Sequence, residues 1–447
     1  MGIKRKLNKE QFKDALAKGL GRAMSHILQY GLDEMADIVL EACIHNTDYD
    51  AQCEDGKAKW LYEMFKNSSH YNNFRNAILS SFKASKEWND IVQLCDLTSE
   101  MAFDGDGLAR TVFKEFINSK ITECKYDFIG DVNYIKLEGE EGVLEIARIY
   151  GQRLINNPED DVPGILIETE EERRRFNALL KEHSYSDDRI KVFFEHIDED
   201  CGWGMDVTEQ QREIERENKK NEFLSMYTPE KIIEIAEEDS KESSWLYRRF
   251  GFYADENDLE IIFARLLEEK NDNVRKRLLK VFSRTALPRV DETIFEWIKS
   301  NDKEFRCAII LALSNCKDAR VHNFAYERIK SGKITGWPEN LTFDLLIRNY
   351  QHGDSKIIMY ALVNSKPDKV DIHSYVGSIS DIADMNKTKE LKDLLLWAYE
   401  NTPCTNCRED IVVRLDAIGM LSSEILEECR FDSLERIRNF TNKKLNQ

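Results

Sequence analysis

Apolar residues recur along this chain at helical spacing almost from its start. Phe12, Leu16, Leu20, Met24 and Leu28 fall four apart, the period that lines one face of an α-helix. Asn8 precedes them with Gln11 three positions on, a capping-box pair. Gly31 follows the last of them, so the pattern predicts one continuous helix ending near that glycine. A second helix carries Met35, Ile38, Val39, Ala42 and Cys43. Further helices are expected around 56–66, 72–84, 86–102 and 106–118, joined by short polar turns. No proline occurs before Pro158, which suits closely spaced helices because proline removes an interior backbone donor.

The C-terminal half shows a repeat. Asn271-Asp272 and Asn301-Asp302 are 30 residues apart, and at that offset Leu278 matches Ala308, Leu279 matches Ile309 and Val281 matches Leu311. Each pair of helices has a turn holding Asn-Asp and a basic residue, Arg275 or Arg306, near the start of the next helix. Asp106 with Arg110 and Asp432 with Arg436 echo this arrangement. A turn Asp can cap the following helix while an Arg of a neighbouring repeat reaches it, forming a ladder. The fold class predicted is all-α, a HEAT-like helical-repeat solenoid of antiparallel helix pairs, most regular around 255–330. The middle is less regular, with Val132–Gly142, a helix over Val143–Leu154, and Asp198–Gly204 leading into a charged helix. The reading therefore divides the chain into a helical region 1–125, an irregular helical segment 126–222 and a repeat region 223–447.

Composition agrees with long helices: 447 residues contain only 7 Pro and 20 Gly, with 33% charged and 42% hydrophobic positions. No apolar run approaches 18 residues and the first residues lack a signal-peptide core, so a soluble, cytoplasmic, monomeric protein without membrane contact is expected. The net charge is −19. Residues 1–130 hold 17 Lys+Arg against 20 Asp+Glu, a balance of −3 that leaves −16 for the remainder. The N-terminal region is therefore where a basic surface for a polyanion is sought. The ten cysteines are scattered, and Cys404-Thr-Asn-Cys407 is the one close pair. With no second pair or matching histidines evident, the reading makes these structural thiols, with no metal and no cofactor.

Candidate chemistry concentrates between two apolar patterns, where Ala42–Gly56 packs His45, Asn46, Asp48, Tyr49, Asp50, Gln52 and Glu54 into ten residues. Acid/base and hydrogen-bonding groups on a connection between rigid helices are a common form of functional site. Asp50, Asp48 and Glu54 are the candidate catalytic carboxylates. His45, Asn46, Tyr49, Gln52, Trp60 and Trp88 are the candidate substrate contacts, and Lys57 and Lys59 could meet nucleic-acid phosphates. The same residues admit a plainer role: Asp48 or Asp50 capping a helix from Ala51 for about 1 kcal/mol, with Trp60 and Trp88 in the core. Trp203 and Trp337, beside glycines or Pro338, are expected at the surface. Phosphate-binding Gly loops, Gly-x-Ser-x-Gly and His-Glu-x-x-His are absent from the sequence.

Three stretches carry a family resemblance: Tyr49–Glu54 leading into Ala58–Tyr62, Asp127–Leu154 around Leu137-Glu-Gly-Glu-Glu-Gly142, and Thr402–Arg408. Together they resemble a group of bacterial HEAT-repeat proteins over nearly the whole chain, which implies fold and not chemistry. More distantly the architecture is similar to the HEAT-like alkylpurine DNA glycosylases, which hold DNA on a concave helical surface. That family's catalytic Asp and flanking tryptophans have no motif-level match, so none of its residues is carried over. Two functions follow as expectations. One is a DNA glycosylase excising a modified base, in defence against foreign DNA. The other is a non-enzymatic scaffold binding a protein partner on its concave face.

Overall fold

The structure, a computed structural model, describes residues 6–165, 169–200, 209–238 and 244–446, with the side chains of 170, 198–200 and 209–212 outside that description. Every regular element among the described residues is helical. None of these helices is long and apolar enough to cross a membrane. Trp203 and Cys201 lie outside the described residues, and Trp337 is exposed.

Local capping chemistry sets most helix starts. Asn8 Oδ1 accepts from the Gln11 amide at 2.9 Å while Gln11 Oε1 accepts from the Asn8 amide at 3.2 Å, which satisfies two otherwise orphaned donors. Asp106 caps the helix Gly107–Ser119 through the Leu108 and Ala109 amides. The first helix, however, is not continuous. It runs Lys9–Lys18 and stops at Gly19, whose φ of 72° is left-handed, and a new helix begins at Gly21 and ends at Tyr30. A Cβ on Gly19 would sit 2.0 Å from Ser433 Oγ. The break thus follows from a close approach by the far end of the chain, which the four-residue apolar spacing does not encode.

Contacts group the chain into two compact units, Met1–Asp206 with Glu424–Gln447, and Val207–Ser423. This departs from three consecutive segments because the last residues return to the first. Ser433 donates its amide to Gly19 O at 2.9 Å, Trp60 Nε1 to Phe431 O at 2.9 Å, and Arg22 pairs with Glu428 at 2.7 Å.

In the second unit the repeat is real at the level of caps, but its register is 31 rather than 30. Asn271 caps the helix Asp272–Leu279 and Asp302 caps Lys303–Ser314, so the Asn of one turn corresponds to the Asp of the next. In that register the buried positions coincide: Val274 with Phe305, Leu278 with Ile309, Leu279 with Ile310, Phe282 with Leu313. Arg275 and Arg306 each donate to the carbonyl six residues before them. The cation reaching Asp302 is Lys276 of the preceding helix, at 3.1 Å, and Arg75 reaches Asp106 in the same way in the first unit, at 3.3 Å. A second ladder joins successive helices. Asn315, Asn349 and Asn386 each donate through Nδ2 to the carbonyl four residues back and to one from an earlier helix: Phe282, Cys316 and Ile347.

Candidate active site

The connection after the helix Ala36–Ile44 is built from its own polar side chains. Asp48 and Lys57 form an ion pair at 2.8 Å in which both side chains are 1% exposed. The Lys57 ammonium also donates to Ala17 O at 2.7 Å. Two charges removed from water together are held in place because separating them leaves one uncompensated. The expectation that Asp48 serves as a reactive carboxylate and Lys57 as a phosphate contact therefore gives way to a structural role. Asp50 accepts from the Gln52 amide and donates its own amide to Glu54 Oε1 at 2.8 Å, closing a single turn. The next helix starts only at Ala58, with no side-chain cap. Glu54 is buried, and Trp60 is buried with its indole N–H on Phe431 O, so neither presents a free surface to a substrate. Tyr49 is half-buried, whereas His45, Gln52 and Lys59 are exposed.

His45 and Asn46 tie this connection to the helix Trp88–Phe103. Asp90 Oδ1 accepts from the Asn46 amide at 2.7 Å, and Asp90 Oδ2 lies 3.2 Å from His45 Nδ1. On that helix Trp88, Val92 and Asp96 are spaced by four and share a face. They line a cavity of about 390 Å³ whose far side is Phe128, Ile129 and Asn133. Trp88 is 48% exposed and Phe128 53%. A Cβ on Gly56 would lie 3.8 Å from Asp96 Oδ2, so the polar connection borders this carboxylate.

Burial, reinforced by the neighbouring Glu100 carboxylate, pushes Asp96 up to about 6, while the 2.9 Å hydrogen bond from Asn133 Nδ2 works against that rise. A carboxyl that binds protons near neutrality inside an aromatic-flanked cavity is suited to general acid/base work. Glu100 and Asp104 continue the same four-residue stripe, and burial raises Glu100 as well.

The wall opposite is rigid. Phe128 has a φ of 67°, a conformation that costs a bulky residue roughly 1–3 kcal/mol unless its surroundings enforce it. Lys120 donates to Ile129 O at 2.7 Å and pairs with Asp131, which also accepts from Tyr150 Oη at 2.6 Å. Arg153 holds Asp127 at 2.6 Å and Asp160 at 2.8 Å. Gly130, with φ of 78°, leaves no room for a Cβ beside Cys95 Sγ and Phe113. Both residues flanking Phe128 are thus fixed, and its ring is presented to the cavity side.

The second unit holds a groove of similar volume, about 390 Å³, lined by Trp245, Arg248, Arg249, Phe252, Tyr253 and Arg284. Trp245 is 57% exposed and Phe252 71%. The Arg249 guanidinium lies 4.6 Å from the Trp245 ring and 4.9 Å from the Phe223 ring, within cation–π range. Among the described residues none of the three arginines forms an ion pair. Burial, then Lys276, Arg248 and Arg277, lower the nearby Lys280 ammonium against the opposing pull of Glu304. Metal-ligand types come together at His373, Cys404 and Cys407, also in this unit.

No protein-family model, curated protein or solved structure matches the chain. The sequence reading reaches the neighbourhood of the first cavity, naming Trp88 and the connection beside it, but misses Asp96, Phe128 and Asn133. The signal present was the stripe Trp88, Val92, Asp96, Glu100, an apolar face that turns acidic at i, i+4 spacing. The arginine groove was missed because net charge was weighed by region and not by local pairing.

Proposed function

We propose that this chain is a HEAT-like helical-repeat protein that binds DNA and excises a modified base, with Asp96 as the reactive carboxylate. The observation that carries this reading is the position of Asp96, a carboxyl with raised proton affinity in a cavity flanked by the exposed rings of Trp88 and Phe128. An extruded base can stack on those rings. Asp96 accepts the proton of a water that attacks the sugar C1′, and its charge stabilises the oxocarbenium character that develops there. The C1′–O bond forms as the C1′–N bond breaks. The electron pair leaves with the base nitrogen, which takes a proton from solvent, giving an abasic site and a free base. The arginine groove of the second unit supports nucleic-acid capture, with bases on Trp245 and Phe252 and phosphates on Arg248, Arg249 and Arg284. The cap register and the asparagine ladder support the repeat architecture.

The test is incubation with oligonucleotides each carrying one modified base, followed by alkaline cleavage at abasic sites. Cleavage is expected with the native chain and is lost in Asp96→Asn. The rate should rise with pH through about 6, because the base form of Asp96 is the active one. Native protein that binds DNA yet cleaves none of the panel eliminates the excision step. A second reading, a scaffold for a protein partner, is favoured by the carboxylates Asp96, Glu100 and Asp104 aligned on one helix, which attract a basic surface. It is the conclusion if DNA is neither bound nor cleaved.

A further inference from the structure

Cys404 is the N-cap of the helix Thr405–Ala417, with extended backbone at φ −99° and ψ 130°, and Cys407 is that helix's third residue. N-cap and third-position side chains converge just beyond a helix end, the geometry that a capping box exploits. The Cys-x-x-Cys spacing therefore aims both sulfurs at one point. Thr402, fully buried, fixes the approach by accepting from the Cys404 amide at 3.2 Å and donating to Cys404 O at 3.1 Å. His373 arrives from a different helix, Lys369–Asn386, which packs against the first. Its Nδ1 is 3.5 Å from Cys407 Sγ, and the ligand atoms of all three residues lie within 4.8 Å of one another.

We infer that His373, Cys404 and Cys407 form a zinc-binding site. Zinc bonds of about 2.3 Å to sulfur and about 2.0–2.1 Å to nitrogen place tetrahedral ligand atoms roughly 3.5–3.8 Å apart, so the set closes on an ion with small side-chain adjustments. Two thiolates and an imidazole are soft enough to select zinc over magnesium or calcium. Cys404 is buried while His373 and Cys407 are partly exposed, so the ion is held from the interior with access from the surface. A water molecule supplies the fourth ligand, the pattern of three protein ligands with one exchangeable position. The two thiols release their protons on binding, so occupancy falls as pH drops. This departs from the metal-free reading of the Cys404–Cys407 pair, because the third ligand is 31 residues upstream on another helix.

The experiment uses the full chain, reduced, stripped with chelator and titrated with Co²⁺ and then Zn²⁺. One Co²⁺ per chain is expected, with the thiolate-to-cobalt charge-transfer band and tetrahedral d–d bands, all displaced by Zn²⁺. Bound zinc should also raise the thermal midpoint, since the ion binds the folded form. His373→Gln and Cys407→Ser, both at partly exposed positions, are expected to fold and to lose stoichiometric binding. Cys124→Ser, at an exposed cysteine of the other unit, should leave it unchanged. Cobalt that binds the His373→Gln and Cys407→Ser variants as it binds the native chain overturns the assignment. So does a native chain that takes up no metal but forms a Cys404–Cys407 disulfide under mild oxidation.

Discussion

Asp48 and Asp96 are both enclosed carboxylates of the first unit, and their surroundings give them opposite consequences. Asp48 faces a partner charge at 2.8 Å, so removing its own charge strands the Lys57 ammonium among apolar neighbours. Asp48→Asn is therefore expected to cost about 3–5 kcal/mol, read as a lower denaturation midpoint with unchanged slope. A loss near 1 kcal/mol would mean the residue is only a cap. Asp96 has no cation beside it, and its folded pKa lies above the unfolded value. The folded state holds that proton more tightly, so this group's contribution is intact below about pH 4 and is lost as pH rises through about 6. Asp96→Asn should then stabilise the protein at pH 8 by roughly 1–3 kcal/mol and have no effect at pH 4, while abolishing activity. Urea titrations at the two pH values check this. A carboxylate retained for structure would give destabilisation at pH 8. The sequence marks both as Asp in polar surroundings. Which is paired depends on a lysine nine positions on in one case and on a wall of residues 127–133 in the other.

At the level of elements, what was legible is what is local. Caps at Asn8, Asp106, Asn271 and Asp302 involve amides two or three residues away, so sequence spacing specifies them. The helices over 72–84 and 106–118 follow from the same rule and from apolar period, and they are found at Tyr71–Ala84 and Gly107–Ser119. The break at Gly19 and the asparagine ladder were not legible, because their partners, Ser433 and the carbonyls of earlier helices, are distant along the chain. The ladder has a measurable consequence. Asn349 Nδ2 satisfies Cys316 O at 2.8 Å and Leu345 O at 2.9 Å, and its Oδ1 accepts from the Asp318 amide at 2.9 Å. Asn349→Ala leaves the Asp318 amide and the Cys316 carbonyl without this partner at a part-buried site. A cost of roughly 2–4 kcal/mol is expected, since each such group carries a penalty of about 1–3 kcal/mol. Chemical denaturation measures it, and a change under about 0.5 kcal/mol would show that water replaces the side chain.

Across the whole molecule, charge was the feature most misread by summation. The sequence balance of −3 over residues 1–130 directs attention to the N-terminal part, yet Lys57 is sealed in an ion pair and the arginines clear of carboxylates belong to the more acidic remainder. Acidic residues elsewhere lower the average potential but, at distances beyond about 8–10 Å in physiological salt, they are screened from a ligand in the groove. Arg248, Arg249 and Arg284 therefore act locally. Three phosphate contacts on a single strand predict that log affinity falls against log salt with a slope of about −2. Arg248→Ala, Arg249→Ala and Arg284→Ala combined should flatten that slope toward zero. Trp245→Ala should instead weaken binding by roughly 1–3 kcal/mol at every salt concentration, the worth of one stacked base. Fluorescence anisotropy with a labelled single strand separates the two effects. Equal slopes for the native and triple-variant chains would remove the groove from nucleic-acid binding, leaving the Asp96 cavity to be tested on its own chemistry.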